Sequence, residues 1–227
     1  MTGRRRARAL LLDLDGTLLD TAPDMAAALN ALRRAAGEPE LPFAGIRPHV
    51  SHGAAALIRF GFRAAPAERL EALRRRFLAL YREALSAGTR LFPGWDAVLD
   101  ELERAAIPWG IVTNKPGWLT GPLLTALKLD GRAACVVSGD TLPERKPHPL
   151  PLLHAARLIG HAPRQCLYAG DAERDIIAGR EAGMQTVAVR YGYLAPGENP
   201  ADWRPDAIVD EPRDLLPWLE AAAAATR

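Results

Sequence analysis

Ala9-Leu10-Leu11-Leu12-Asp13-Leu14-Asp15-Gly16-Thr17-Leu18-Leu19-Asp20-Thr21 runs from four aliphatic residues straight into a cluster of acids. Residues 7–13 read as a buried strand whose C-terminal end delivers carboxylates. Asp13 and Asp15 stand two apart on extended chain, so their side chains leave the same face and can converge on one ligand. Carboxylates that close repel each other unless a cation or a shared proton intervenes. A divalent metal resolves the conflict, and hard oxygen ligands beside a phosphate favour magnesium. Asp-Gly is also an ordinary turn pair, so this string alone leaves both readings open.

Working outward, four more aliphatic runs resemble the first: residues 108–113, 134–138, 165–170 and 185–190. Stretches of helical periodicity lie among them, at about 94–106, 117–128, 149–160 and 173–183. This alternation predicts an α/β fold, a doubly wound, Rossmann-like, largely parallel sheet with ligands bound beyond the carboxyl ends of its strands. Asp13, Thr113 and Asp171 all fall at such ends. Residues 21–88 differ, because they carry helical stripes and no convincing strand: Met25, Leu29 and Leu32, then Leu57, Ile58 and Phe60, then Leu70, Leu73, Phe77, Leu80 and Tyr81. We expect an inserted all-helical cap over 21–88 on a core of 1–20 and 89–227, with hinges near 20–23 and 86–93.

The partners of the acidic string supply what phosphoryl transfer needs. Thr113 and Asn114 close one strand, Lys146 lies in Glu144-Arg145-Lys146-Pro147-His148-Pro149, and Asp171 and Asp175 lie in Gly170-Asp171-Ala172-Glu173-Arg174-Asp175. Each has a plain alternative: a strand-end cap for Thr113, a solvated charge for Lys146, a helix N-cap for Asp171 and a first-turn charge for Asp175. Their joint appearance, in this order and at strand ends, argues against those alternatives.

These four motifs resemble the haloacid dehalogenase superfamily, in its phosphoglycolate phosphatase-like branch with a helical cap, over nearly the whole chain. The resemblance implies that Asp13 attacks phosphorus to form an aspartyl-phosphate, while Asp15 serves first as acid and then as base. It implies that Thr113 and Asn114 hold phosphate oxygens and that Lys146 offsets their charge. It further implies that Mg2+ is bound by Asp13, Asp171 and the Asp15 backbone carbonyl, with Asp175 orienting a metal-bound water or Lys146. Backbone amides around Leu14 and Gly16 would add donors, Gly16 permitting close approach. Carbon-halogen cleavage needs no acid at the position of Asp15, and phosphonate hydrolysis of this type needs a cap lysine, which 21–88 lacks. A phosphomutase of the same cap class, or a binding module for a phosphorylated metabolite, shares the remaining features.

Substrate choice is expected to come from the cap. Within residues 46–53, Ser51 suits a helix N-cap and Gly53 permits close backbone approach, so free amides there would suit a carboxylate or hydroxyl. Arg47 and His52 are further candidates, His49 a weaker one. The stretches 109–116 and 189–206 look closer to the N-acetylmuramic acid 6-phosphate phosphatases of bacterial cell-wall recycling than to enzymes for phosphoglycolate.

Composition sets the outer bounds. The 227 residues are 48% hydrophobic, enough for a sizeable core, and the net charge of +2 leaves no basic face for nucleic acid. The basic start at Arg4, Arg5, Arg6 and Arg8 is followed by too short an apolar run for a signal peptide, and no run reaches the ~20 residues of a membrane span, so a cytoplasmic enzyme acting on a small phosphorylated metabolite is expected. Cys135 and Cys166 read as inert buried thiols. The tail 221–227 is expected to end the last helix.

Overall fold

The computed structural model describes residues 6–220; Arg4, Arg5 and the alanine-rich tail lie outside the described residues. Strand β1 (Ala9–Leu12) and the short β2 (Leu19–Asp20) lead into four helices, α1 (Ala22–Ala35), α2 (Phe43–Ile46), α3 (Gly53–Gly61) and α4 (Ala67–Glu83). The chain continues through β3 (Arg90–Leu91), α5 (Trp95–Arg104), β4 (Trp109–Val112), α6 (Gly117–Ala126) and β5 (Cys135–Val137). It ends with α7 (Leu150–Leu158), β6 (Cys166–Gly170), α8 (Glu173–Glu181), β7 (Gln185–Val189) and β8 (Ala207–Val209).

Six strands form a parallel sheet in the order β5-β4-β1-β6-β7-β8. Every residue of β1, β4 and β6 is buried, which explains their continuous apolar runs: helices cover both faces. The pleat divides β1 between two cores. Leu10 and Leu12 pack with Leu99 and Leu102 of α5 and Leu123 of α6, whereas Ala9 and Leu11 pack with Leu152 and Ala155 of α7 and Ala178 of α8.

Strand order also fixes where a ligand can sit. From β1 the chain moves to β4 and β5 on one side, then returns through β6 on the other side of β1. The loops after β1 and β6 therefore diverge and leave a crevice at the carboxyl ends. Leu12 is in register with Ala169, so Asp13 and Asp171 leave adjacent strands side by side.

Helices α1–α4 stand outside this sheet and share a core of Leu29, Leu57, Ile58, Phe77 and Tyr81. Leu70, Leu73 and Leu80 are only partly buried against it. Their two connections to the sheet are bound together. β2 and β3 pair antiparallel, and the buried Asp24 of α1 accepts hydrogen bonds from the N–H of Gly88 (2.6 Å), the N–H of Thr89 (2.8 Å) and the Thr89 hydroxyl (2.7 Å).

Strands β2, β3 and β8 are absent from the sequence reading; at two or three residues each, they are too short to show a period. The expected helices after residue 93 are present, and each stops two residues early, in a turn. Cys135 and Cys166 are free and buried, and burial pushes their thiols up to about 11 and about 12. Among the described residues, no helix is long and apolar enough to cross a membrane.

Candidate active site

At the carboxyl edge, β1 delivers Asp13, β4 Thr113, and β6 Asp171, while the loop before α7 brings Lys146 beneath them. Asp13, Thr113, Lys146, Asp171 and Asp175 are all buried. Lys146 Nζ pairs with Asp13 Oδ1 at 2.8 Å and with Asp175 Oδ1 at 2.7 Å, and donates to the Val112 carbonyl (2.8 Å) and the Tyr168 hydroxyl (2.7 Å). That hydroxyl donates in turn to the Val112 carbonyl at 3.0 Å. Four acceptors from three strands and a helix thus hold one ammonium, so its position is set by the sheet rather than by a loop. Asp175, at the first turn of α8, also accepts from the Ala172 N–H at 3.2 Å.

Asp171 Oδ2 accepts from the Ser51 hydroxyl (2.6 Å) and the Tyr193 N–H (2.9 Å), while its Oδ1 is buried without a partner. Oxygens of Asp13, Asp171 and Asp175 lie within 4.8 Å of one another. Burial, with the nearby charges of Asp13 and Asp175, pushes the Asp171 carboxyl up to about 7. Burial likewise raises Asp13, and Asp175 adds to the effect against the opposing pull of Lys146 and Arg174. Crowded carboxylates with an orphaned oxygen are the donor set of a hard cation, and they fit a bound metal ion. Two glycines make the crowding possible. Gly16 has φ +86°, and a Cβ there would meet Asp171 Oδ2 at 2.0 Å. A Cβ on Gly192 would stand 2.3 Å from the Cβ of Asp171.

Asp15 stands apart from this trio and faces the cavity, its side chain 16% exposed. It accepts from the Thr21 hydroxyl (2.7 Å) and pairs with Lys115 Nζ, 3.0 Å from Oδ1 and 3.3 Å from Oδ2. Lys115 is buried; that burial works against its charge, but Asp15 and Tyr81 hold it above the ordinary lysine range.

A cavity of about 760 Å³ opens above these groups, lined on the sheet side by Asp13, Asp15, Thr113, Asn114, Lys115 and Lys146, and on the helical side by residues of α1, the 50–55 segment and α4. His52 and Gly53 lie in that wall, and Gly53, at φ +78°, opens α3. Arg47 does not line it. Its guanidinium donates to the carbonyls of Gly192 (3.0 Å) and Tyr191 (3.2 Å) and stacks over the Tyr193 ring. Ser51 does not cap α3, as the sequence suggested; it reaches across to Asp171 instead, and His52 occupies the cap position without a side-chain bond. Thr113 Oγ1 accepts from the Lys115 N–H at 3.1 Å. The Asn114 amide is engaged at both ends with the Lys146 backbone, donating to its carbonyl (2.8 Å) and accepting from its N–H (3.0 Å). Leu14 N–H donates to Asp13 Oδ1 at 2.8 Å.

Four groups escaped the sequence reading: Lys115, Arg174, Tyr168 and Tyr193. Arg174, 3.9 Å from Asp13 Oδ2, carried a signal, because an arginine in the first turn of a helix opposes the helix dipole. Tyr168 carried none, since a buried tyrosine in an apolar strand looks like core, and Tyr193 stood out only as part of the 189–206 stretch, with no role in the site attached to it.

Comparison with known proteins agrees with this arrangement. A model of the haloacid dehalogenase-like hydrolases matches residues 10–189. A phosphoglycolate phosphatase of Xanthomonas campestris is 47% identical over 218 residues, 96% of this chain and 98% of that protein. An N-acetylmuramic acid 6-phosphate phosphatase of Pseudomonas aeruginosa is 42% identical over 220 residues, 96% of this chain and 97% of that protein. A crystal structure of a predicted phosphoglycolate phosphatase from Haemophilus somnus superposes with a TM-score of 0.84 at 30% identity, covering 95% of this chain and 99% of that one. With its parallel sheet, its buried aspartate cluster and a match spanning most of its length, the chain belongs to the haloacid dehalogenase-like hydrolases.

Proposed function

We propose that the chain is a Mg2+-dependent phosphatase that hydrolyses a small phosphomonoester through an aspartyl-phosphate on Asp13. The observation that carries this is the pairing of Asp13 with Lys146 at 2.8 Å beside the partnerless Oδ1 of Asp171, at the floor of a cavity that Asp15 also faces. The Asp13 carboxylate attacks phosphorus as the bond to the leaving oxygen breaks, and Asp15 hands that oxygen a proton. A water then attacks phosphorus, gives its proton to Asp15, and the bond between phosphorus and Asp13 breaks to release phosphate. Lys146 and Arg174 balance the charge gathered around the nucleophile, and Asp175 fixes Lys146. The Thr113 hydroxyl and the backbone amide of Asn114 receive phosphate oxygens, whereas the N–H groups of Leu14 and Gly16, expected to join them, are given to Asp13 Oδ1 and to the Leu19 carbonyl (3.0 Å). Mg2+, held by Asp13, Asp171 and the Asp15 carbonyl, would neutralise phosphate charge and polarise the phosphoryl group.

In this reading residues 21–88 form a cap over the 1–20 and 89–227 core, and the wall around His52 and Gly53 meets the leaving group. The cavity of about 760 Å³ is roomy for an acid as small as phosphoglycolate and suits a phosphorylated sugar acid, so we favour N-acetylmuramic acid 6-phosphate over 2-phosphoglycolate. The test compares kcat/KM for these two and for common sugar phosphates. A preference of about tenfold or more for the amino-sugar phosphate is expected. Equal or greater efficiency on 2-phosphoglycolate would reverse the choice, and a value for neither above the sugar phosphates would remove both.

A further inference from the structure

The sequence marks Lys115 only as one of three lysines, in the run after Thr113. In the fold its side chain is 4% exposed and its ammonium lies at the junction of three segments. It donates to Asp15 from the β1 loop and to the Tyr81 hydroxyl of α4 at 2.9 Å, with Nζ 4.6 Å from the centre of the Tyr81 ring. Tyr81 is itself fully buried in the helical layer, so its hydroxyl is a fixed acceptor rather than a swinging one. Asp15 Oδ1 receives both the Thr21 hydroxyl and Lys115, whereas Oδ2 has only the longer 3.3 Å contact.

We propose that Lys115 is a positioning residue for Asp15: it fixes the carboxylate by Oδ1, aims Oδ2 into the cavity for proton exchange, and draws its own position from Tyr81 of the helical layer. The inference rests on Asp15 acting as the acid/base of the phosphatase proposed above. Lys115 keeps its protons throughout; the transferred proton passes from Asp15 Oδ2 to the leaving oxygen, and in the second half from water to the same oxygen. Two features separate this from a buried ion pair that serves only the fold. The pair opens onto the cavity, with both partners in its wall, and the ammonium bridges the sheet edge to α4. A pair that served stability alone would be replaceable by apolar groups without consequence for one particular step.

The experiment compares an alkyl phosphate, whose leaving oxygen needs a proton, with p-nitrophenyl phosphate, whose leaving group departs without one. The value of kcat/KM covers the reaction up to departure of that group. For Lys115→Met we expect a fall of about 10²-fold on the alkyl phosphate and of less than about threefold on the aryl phosphate. Tyr81→Phe keeps the ring and removes only the hydroxyl, and we expect a fall of about fivefold confined to the alkyl phosphate. Equal falls on both substrates, or no fall on either, would overturn the role of Lys115. Should Lys115→Met fail to fold, Tyr81→Phe decides by the same comparison. If the wild-type protein cleaves neither ester, the phosphatase reading fails and this inference with it; if it cleaves both while the variants show no leaving-group dependence, only the positioning role falls.

Discussion

Asp171 carries opposing demands within one side chain: it is buried, it faces two other carboxylates, and one of its oxygens has no partner. With its carboxyl pushed up to about 7, it holds a proton below that pH unless a cation displaces it. Affinity for Mg2+ should therefore weaken as pH falls below 7, by up to about tenfold per pH unit, and binding there should release a proton. Calorimetric titration at pH 6 and pH 8 in buffers of different ionisation heat reads both quantities. Gly192 is the companion case, because any side chain there displaces Asp171. Gly192→Ala should cost about tenfold or more in Mg2+ affinity, measured by the same titration.

Legibility at this scale divided by reach. Asp13, Asp15, Thr113 and Asp171 were readable because each sits at or just beyond a strand end within a short motif, and parallel register brings such ends together; Lys146 in its loop and Asp175 in the first turn of α8 were readable only from their motifs. Ser51, Lys115 and Tyr193 were not readable as a group, because their relation depends on how distant loops return to the mouth. Arg47 illustrates the reverse error: a charged residue before a helix looked like a substrate contact, yet its donors meet two backbone carbonyls and an aromatic face.

Among the elements, α1 carries the joint between helical layer and sheet. Asp24 is 4% exposed and its three hydrogen bonds tie α1 to the returning connection at Gly88 and Thr89. Replacing it with alanine leaves the two N–H groups and the hydroxyl without their acceptor, and should destabilise the protein by roughly 2–4 kcal/mol. Denaturant unfolding checks this, and an unchanged midpoint would show that water substitutes for the carboxylate. Helices were legible from their period and the buried strands from their continuous apolar runs. The β2–β3 pair was not, since two residues a side have no period and form only because Asp24 and the ladder hold the crossing connections together.

At the scale of the whole molecule, the parallel sheet with its turnaround at β1 places the polar crevice, and the helical layer roofs it. The buried Trp95 secures that arrangement from α5, donating from Nε1 to the Thr17 carbonyl at 2.8 Å within the loop that follows Asp13. The chemistry proposed for the crevice converges on Asp13, and one comparison tests it most directly: phosphate release from an aryl phosphate by wild-type protein and by Asp13→Asn, each with Mg2+ and with chelator. Wild-type protein should turn over only with Mg2+, and Asp13→Asn should lose at least about 10³-fold while unfolding at a similar temperature. Undiminished turnover by Asp13→Asn, or wild-type turnover indifferent to the chelator, would contradict a metal-assisted aspartyl nucleophile.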